Sequence, residues 1–212
     1  MWLRKTEKTF DNRPATMPST ASAFELFEGL RQEVLRHASL LDSPVHGEKH
    51  WRSVAQTGLR IARHVPEACP RLVVAFALCH DARRWDDSWD PEHGQRAAEM
   101  VDDIITNRSD LLPLLSAERW ALLRDACAGH EKGTITDNLM IGACWDADRF
   151  NLWRVGLEPD RAFFSSMKDA TIHRAGETTF DLISRQTRES FNNPASWEDI
   201  FYVATIERTT RT

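Results

Sequence analysis

Apolar side chains recur every three or four residues along almost the whole chain after residue 21. This period places them on one face of a helix, so each segment must bury that face against another one. Segments that contain proline or glycine separate the successive stripes. Helices are predicted up to about residue 41, over about 48–65, over 72–79, from about 91, from about 117, over about 137–153, near 160–174 and over 197–208. The pattern therefore predicts one all-α domain, a helical bundle, over residues 22–212.

Residues 1–21 differ from the rest of the chain. They are rich in threonine, proline and basic residues and show no sustained periodicity, which predicts a flexible N-terminal arm. No linker long enough to separate two domains follows, and 212 residues are enough for one domain with a full core.

The charge balance and the cysteines limit the partners and the compartment. A net charge of −5 argues against an extended nucleic-acid surface, which usually brings a basic face, but allows a small phosphorylated substrate held by a few arginines. The four cysteines form no CxxC pair, as is typical of a reduced, cytoplasmic setting. No apolar run reaches transmembrane length, so no membrane partner is predicted. The sequence carries no signal for an oligomeric state.

The segment Leu72–Cys79 is apolar at every position and is followed directly by His80 and Asp81. A buried strand and a buried helix fit such a run equally well, but Pro70 at its start and helices on both sides favour a helix. Polar groups at the end of a core segment are costly unless they are compensated. A metal ion is the usual compensation for histidine and aspartate.

Other helices also carry ligand-type residues on or next to their apolar stripes. A single buried histidine is more often a hydrogen-bonded core residue than a ligand, whereas a buried aspartate requires a partner. Periodicity does not separate Asp146 from Asp148, because both faces of their helix are apolar. The candidates outside the His80-Asp81 pair are His50, His93, His130 and one of these two aspartates.

Three short segments resemble the HD superfamily of metal-dependent phosphohydrolases, whose pattern is H…HD…D. They are His50-Trp-Arg-Ser-Val54, Cys79-His80-Asp81 and Ala147-Asp148-Arg149-Phe150. Their order, their helical contexts and the spacings of 30 and 67 residues carry the resemblance, which covers about residues 45–155. It implies a helical bundle of the HD-domain type with a metal in a cleft. The implied ligands are His50, His80, Asp81 and Asp148, and the Ala-Asp context alone selects Asp148 over Asp146.

The mixed nitrogen and oxygen ligands suit Mn²⁺, Fe²⁺, Co²⁺, Ni²⁺ or Zn²⁺ better than Mg²⁺, which prefers oxygen. Some members of the family place two further histidines between the HD pair and the last aspartate, and use them for a second metal or to contact phosphate. His93 and His130 lie in similar segments. The interval from Asp81 to His93 is shorter than in the dinuclear members, which leaves a second metal open and favours a phosphate contact for His93.

The resemblance implies hydrolysis of a phosphate monoester or diester, such as a nucleotide, by a water molecule that the metal activates. Asp81 would also accept a proton, while His93 and His130 would stabilise charge on the phosphate. A non-catalytic domain that senses metal and nucleotide is the main alternative, because a ligand set alone does not guarantee turnover. A purely structural helical protein with core histidines is the third.

Arginines and tryptophans complete the list of candidates. Arg83 and Arg84 follow the HD pair and Arg149 follows the last implied ligand, so all three are candidates for binding phosphate. Solvated ion pairs with nearby aspartates are the alternative for the first two. Trp85 and Trp89 can wall a pocket and stack on a base, although most tryptophans fill cores.

Overall fold

The computed structural model describes residues 20–167 and 176–206, and the regular elements in these ranges are helices. The predicted all-α fold is confirmed. Residues 1–19 of the predicted arm lie outside the described ranges. The α-helices are α1 (Thr20–Leu35), α2 (Glu48–His64), α3 (Pro70–Cys79), α4 (His93–Asn107), α5 (Ala117–Gly129), α6 (Leu139–Arg149), α7 (Thr179–Phe191) and α8 (Trp197–Ile206). Short 3₁₀ helices cover Leu112–Leu114, His130–Lys132, Leu152–Val155 and Arg161–Phe163.

Helix α3 is the centre of the bundle. All residues of Leu72–Cys79 are buried, and the helix contacts α1, α2, α5, α6 and α8. A helix that is apolar on every side is stable only when every side is covered. Pro70 lies in its first turn, as predicted. His80, at the C-terminal end of α3, therefore lies in the interior of the protein. Its ring stacks on that of Phe76 at a centroid distance of 5.0 Å.

Two further packing contacts position the site. Helix α2 crosses α3 and α6 at Gly58, where an added Cβ atom would lie 3.0 Å from Val73 Cβ and 3.5 Å from Ala147 Cβ. The three backbones therefore approach closely at a residue without a side chain. Helix α4 packs along α5, which brings the first residue of α4 next to the residue that follows α5.

Some predicted helix limits are wrong. The first helix ends at Leu35 rather than near residue 41. In the described part of the predicted 160–174 helix, only the 3₁₀ turn Arg161–Phe163 is present. Helix α7 was missed, although it begins with a capping box in which Thr178 Oγ1 accepts from the Asp181 amide and the Asp181 carboxylate accepts from the Thr178 amide.

No helix in the described part of the chain is long and apolar enough to cross a bilayer. All four cysteines are buried and carry free thiols.

Candidate metal centre

Three helices bring the four predicted ligands into one buried cluster. His50 is the third residue of α2, His80 and Asp81 follow α3, and Asp148 lies in the last turn of α6. His50 Nε2 lies 3.3 Å from His80 Nε2 and 3.2 Å from Asp148 Oδ1. Asp81 Oδ2 lies 3.5 Å from both of these histidine nitrogens. The structure therefore brings the nitrogen and oxygen atoms of all four predicted ligands together in one cluster.

The other oxygen of Asp81 faces a second pair of histidines. Asp81 Oδ1 lies 3.2 Å from His93 Nε2 and 3.6 Å from His130 Nε2, and these two nitrogens are 2.8 Å apart. The short loop after α3 still allows His93 to reach the cluster, because α4 begins at this residue and packs on α5. We call His50, His80 and Asp148 the first group, and Asp81, His93 and His130 the second group.

Backbone hydrogen bonds orient three of the four imidazoles. Nδ1 of His80, His93 and His130 donates to the carbonyl oxygen three residues earlier, at 3.1, 2.5 and 2.7 Å. A carbonyl oxygen can only accept, so Nδ1 carries the hydrogen, and Nε2 of the neutral ring keeps its lone pair. These lone pairs converge on one another and on two carboxylates. Such an arrangement is repulsive unless positive charge lies between the groups.

The carboxyl groups of the cluster are held in their ionised form. Burial alone would raise the pKa of Asp148, but its contact with His50 and the charge of Arg154 hold that pKa well below the usual range. Burial likewise opposes ionisation of Asp81, but protonation of the imidazoles around it favours the carboxylate more strongly, so its pKa is also lowered. Two negative charges therefore remain in the interior at neutral pH.

The imidazoles respond to burial and to these charges. Burial lowers the pKa of His50 to about 4 and that of His80 to about 3, so both rings are neutral and able to bind a metal. Burial also acts to lower the pKa of His130, but the carboxylate of Asp81 outweighs it and raises this pKa. The second group thus attracts positive charge.

An unsatisfied atom supports a cation at this point. Asp148 Oδ1 is buried and has no hydrogen-bond partner among the residues that the structure describes. An orphaned buried carboxylate oxygen is costly, and coordination to a cation removes the cost. Neutral imidazole nitrogens and two carboxylates, one of them with an unpartnered oxygen, together fit a divalent metal.

Of the three predicted arginines, only Arg84 reaches the cluster. Its Nη1 lies 3.7 Å from Asp81 Oδ1 and is nearly equidistant from the two ring nitrogens of His93, at 3.2 and 3.3 Å. Equal distances place this nitrogen over the face of the imidazole rather than in its plane. The rest of the guanidinium donates to the carbonyl oxygens of Asp86 and Ser88, so Arg84 is held in position by its own loop.

The structure does not bring Arg83 or Arg149 into the cluster. Arg83 donates to the carbonyl oxygen of His37 at 3.2 Å. Arg149 donates to the carbonyl oxygens of Phe163 and Thr134, both at 2.5 Å. Adjacent residues of a helix point about 100° apart, so Arg149, next to Asp148 on α6, is directed elsewhere.

Two further residues lie beside the first group. Arg154 Nη1 is 3.9 Å from Asp148 Oδ1, and the guanidinium is anchored on the carbonyl oxygens of Val45 and Asn151. Arg154 follows the end of α6, where helical periodicity no longer indicates direction, so no sequence signal identifies it. His46 is buried, and its ring lies 6.4 Å from that of His50.

The structure also separates the two aspartates of α6. Asp146 accepts from the Ser165 amide at 2.9 Å, from the Ser166 amide at 2.7 Å and from Ser166 Oγ at 2.7 Å. It therefore anchors the segment after Arg161–Phe163, while Asp148 faces the histidines. Both carboxylates are in the interior, which explains why periodicity alone could not choose between them.

Comparison of the chain with models of known families, with curated proteins and with solved structures found no match. The resemblance to the HD superfamily stays a hypothesis carried by the motif residues.

The two aspartates of α6 should separate stability from metal binding. Asp146→Ala leaves two backbone amides without an acceptor and should lower the free energy of unfolding by about 3 kcal/mol while metal is retained. Asp148→Ala should abolish metal retention, because it removes a candidate ligand of the first group. Urea denaturation and elemental analysis measure the two effects. Loss of metal from Asp146→Ala together with full retention by Asp148→Ala would contradict this assignment.

Proposed function

We propose that this protein is a metal-dependent phosphohydrolase with a two-cation centre and that it acts on a small phosphate ester, with nucleotides as the leading class. One observation carries the proposal: the two oxygens of Asp81 face separate histidine pairs whose Nε2 atoms converge. A carboxylate in this position can bridge two cations. The clustering of the residues that resemble the HD pattern supports the same reading.

The first group and Asp81 Oδ2 would hold one cation, and the second group would hold the other. Mixed imidazole and carboxylate donors favour Mn²⁺, Fe²⁺, Co²⁺, Ni²⁺ or Zn²⁺, with Mg²⁺ less suited to the nitrogen ligands. When bound, such cations lower the pKa of a water molecule and neutralise charge on a phosphoryl group. Asp81 would contribute one carboxylate oxygen to each of the two cation sites.

Two buried guanidinium groups would bind the phosphate. Arg84 lies beside the second group and Arg154 beside the first, so a positive charge lies next to each part of the cluster. Both side chains are anchored on backbone carbonyl oxygens. Little side-chain entropy remains to be lost when an anion binds, and the charges are in place before the reaction begins.

The proposal predicts that metal and activity are lost together. Wild-type protein reconstituted with Mn²⁺ should retain metal through gel filtration and release phosphate from members of a nucleotide panel. His80→Ala and Asp81→Ala should retain neither property, because each removes a ligand from the interior of the cluster. Arg83→Ala is the matched control, since Arg83 lies two residues after Asp81 but donates to the carbonyl oxygen of His37, away from the cluster. It should keep both.

Full activity in either ligand variant would refute the proposal. Metal and nucleotide binding by the wild type with no phosphate release, across several divalent metals, would instead assign a sensing role to the same site.

A glycine at the start of α4 permits the second group to form. A Cβ atom at Gly94 would lie 2.6 Å from the Cys127 carbonyl oxygen and would overlap the carboxylate of Glu131. The Cys127 carbonyl is the acceptor that orients His130. A side chain at position 94 would therefore push His93 away from its partner histidine.

Gly94→Ala should reduce the bound Mn²⁺ from two ions per chain to one, because the first group does not depend on this contact. Elemental analysis gives the stoichiometry, and circular dichroism checks that the helices are retained. The control is Gly29→Ala in α1, where the added methyl group meets only the end of the Leu111 side chain. Two retained ions in Gly94→Ala would show that the approach of α4 to α5 does not control the second group.

A further inference from the structure

The loop between Asp81 and His93 displays two indoles on the surface. Trp85 is 71% exposed and Trp89 is 84% exposed, which are the highest values among the large apolar side chains that the structure describes. Exposing an indole forgoes a large gain from burial. These two tryptophans therefore do not contribute to the hydrophobic core, although they lie in a loop next to the candidate metal centre.

The loop borders the cluster at both ends. Arg84, just before Trp85, contacts His93 of the second group. Asp87, between the two indoles, accepts from His46 Nδ1 at 2.8 Å, and the His46 ring lies 6.4 Å from that of His50 in the first group. The loop thus spans the cluster from one group to the other, with its tryptophans directed to solvent.

The Trp85 indole is held in place on one side only. The Arg96 guanidinium lies 4.0 Å from the centre of its ring. The Asp90 carboxylate accepts from the Trp85 amide at 3.1 Å and from Arg96 Nη2 at 2.5 Å, which ties the backbone and the stacked cation together. A fixed aromatic ring with one covered face and a large exposed area is a ready platform for stacking.

The surroundings favour a small aromatic ligand over a lipid surface or a large protein partner. Each indole has an aspartate as a direct neighbour in sequence, Asp86 after Trp85 and Asp90 after Trp89. Acidic residues beside the rings disfavour an anionic membrane and interrupt any extended apolar patch. A flat neutral base joined to a phosphate matches the combination of a stacking face and the neighbouring Arg84.

We propose that Trp85 and Trp89 form a base-binding subsite, in which a nucleobase stacks on the indoles while its phosphate reaches Arg84 and the metal centre. This inference rests on the proposed function and deepens it, because it makes a nucleotide, rather than any small phosphate ester, the substrate class. Trp85 is the principal platform, since it is the indole that Arg96 holds in place.

The test compares a ligand that has a base with one that lacks it. Binding of adenosine monophosphate and of ribose 5-phosphate to the Mn²⁺-loaded protein is measured by calorimetry. The wild type should bind adenosine monophosphate about tenfold more tightly, since stacking on an aromatic side chain is worth roughly fivefold to 150-fold in affinity. Trp85→Ala should remove most of this difference and leave the affinity for ribose 5-phosphate within about twofold.

Trp85→Phe should restore most of the preference, because it keeps an aromatic face. Tyr202→Ala serves as the control, since it removes another exposed aromatic side chain, 58% exposed and located on α8. It should leave both affinities unchanged. Trp89→Ala should weaken binding of adenosine monophosphate by a smaller factor than Trp85→Ala does.

Equal affinities of the wild type for the two ligands, including no binding of either, would overturn the subsite. So would equal losses for both ligands in Trp85→Ala, or a dimer in gel filtration that only the tryptophan variants lose. Phosphate release by the wild type in the same preparation distinguishes the two proposals. Activity without a preference for the base refutes the subsite alone, whereas absence of activity refutes the phosphohydrolase.

Discussion

The structure is organised around two ionised carboxylates that are buried against the lone pairs of histidines. Asp81 and Asp148 would be prohibitively costly in an apolar interior without positive charge nearby. The protein supplies part of that charge with Arg84 and Arg154 and leaves a convergent set of nitrogen and oxygen atoms between them. A divalent cation is the group that such a set accommodates best.

Helix α3 is the most buried helix in the described part of the chain, and His80 and Asp81 of the cluster follow directly at its end. Because α3 is covered on all sides, the residues after its last turn emerge in the interior rather than at the surface. The close approach at Gly58 then holds α2 and α6 against α3. Packing contacts that look purely structural therefore determine the distances between His50, His80 and Asp148.

The residues of the first group could be selected from the sequence because each lies on a regular helix or directly at its end. Helical periodicity marks His50 as inward, and the resemblance to the HD pattern distinguishes Asp148 from Asp146. The second group depended on tertiary packing that no local pattern encodes. Whether His93 meets His130 is decided by how α4 approaches α5, and the length of the intervening loop indicated this poorly.

Side chains beyond helix ends were the least predictable. Arg83 and Arg149 lie within two residues of candidate ligands in sequence but are directed to backbone carbonyl groups away from the cluster. Arg154 reaches the site from a 3₁₀ turn, where no period applies. Helix α7 was missed although Thr178 and Asp181 form its capping box, a local signal that the apolar pattern alone did not include.

Anomalous diffraction from crystals grown with Mn²⁺ would locate the cations directly. The proposed two-cation centre predicts two anomalous peaks, one bounded by His50, His80 and Asp148 and the other by His93 and His130. A single peak in the first group would contradict the proposed second cation. No peak in the cluster, at a Mn²⁺ concentration that supports any phosphate release, would contradict the metal centre itself.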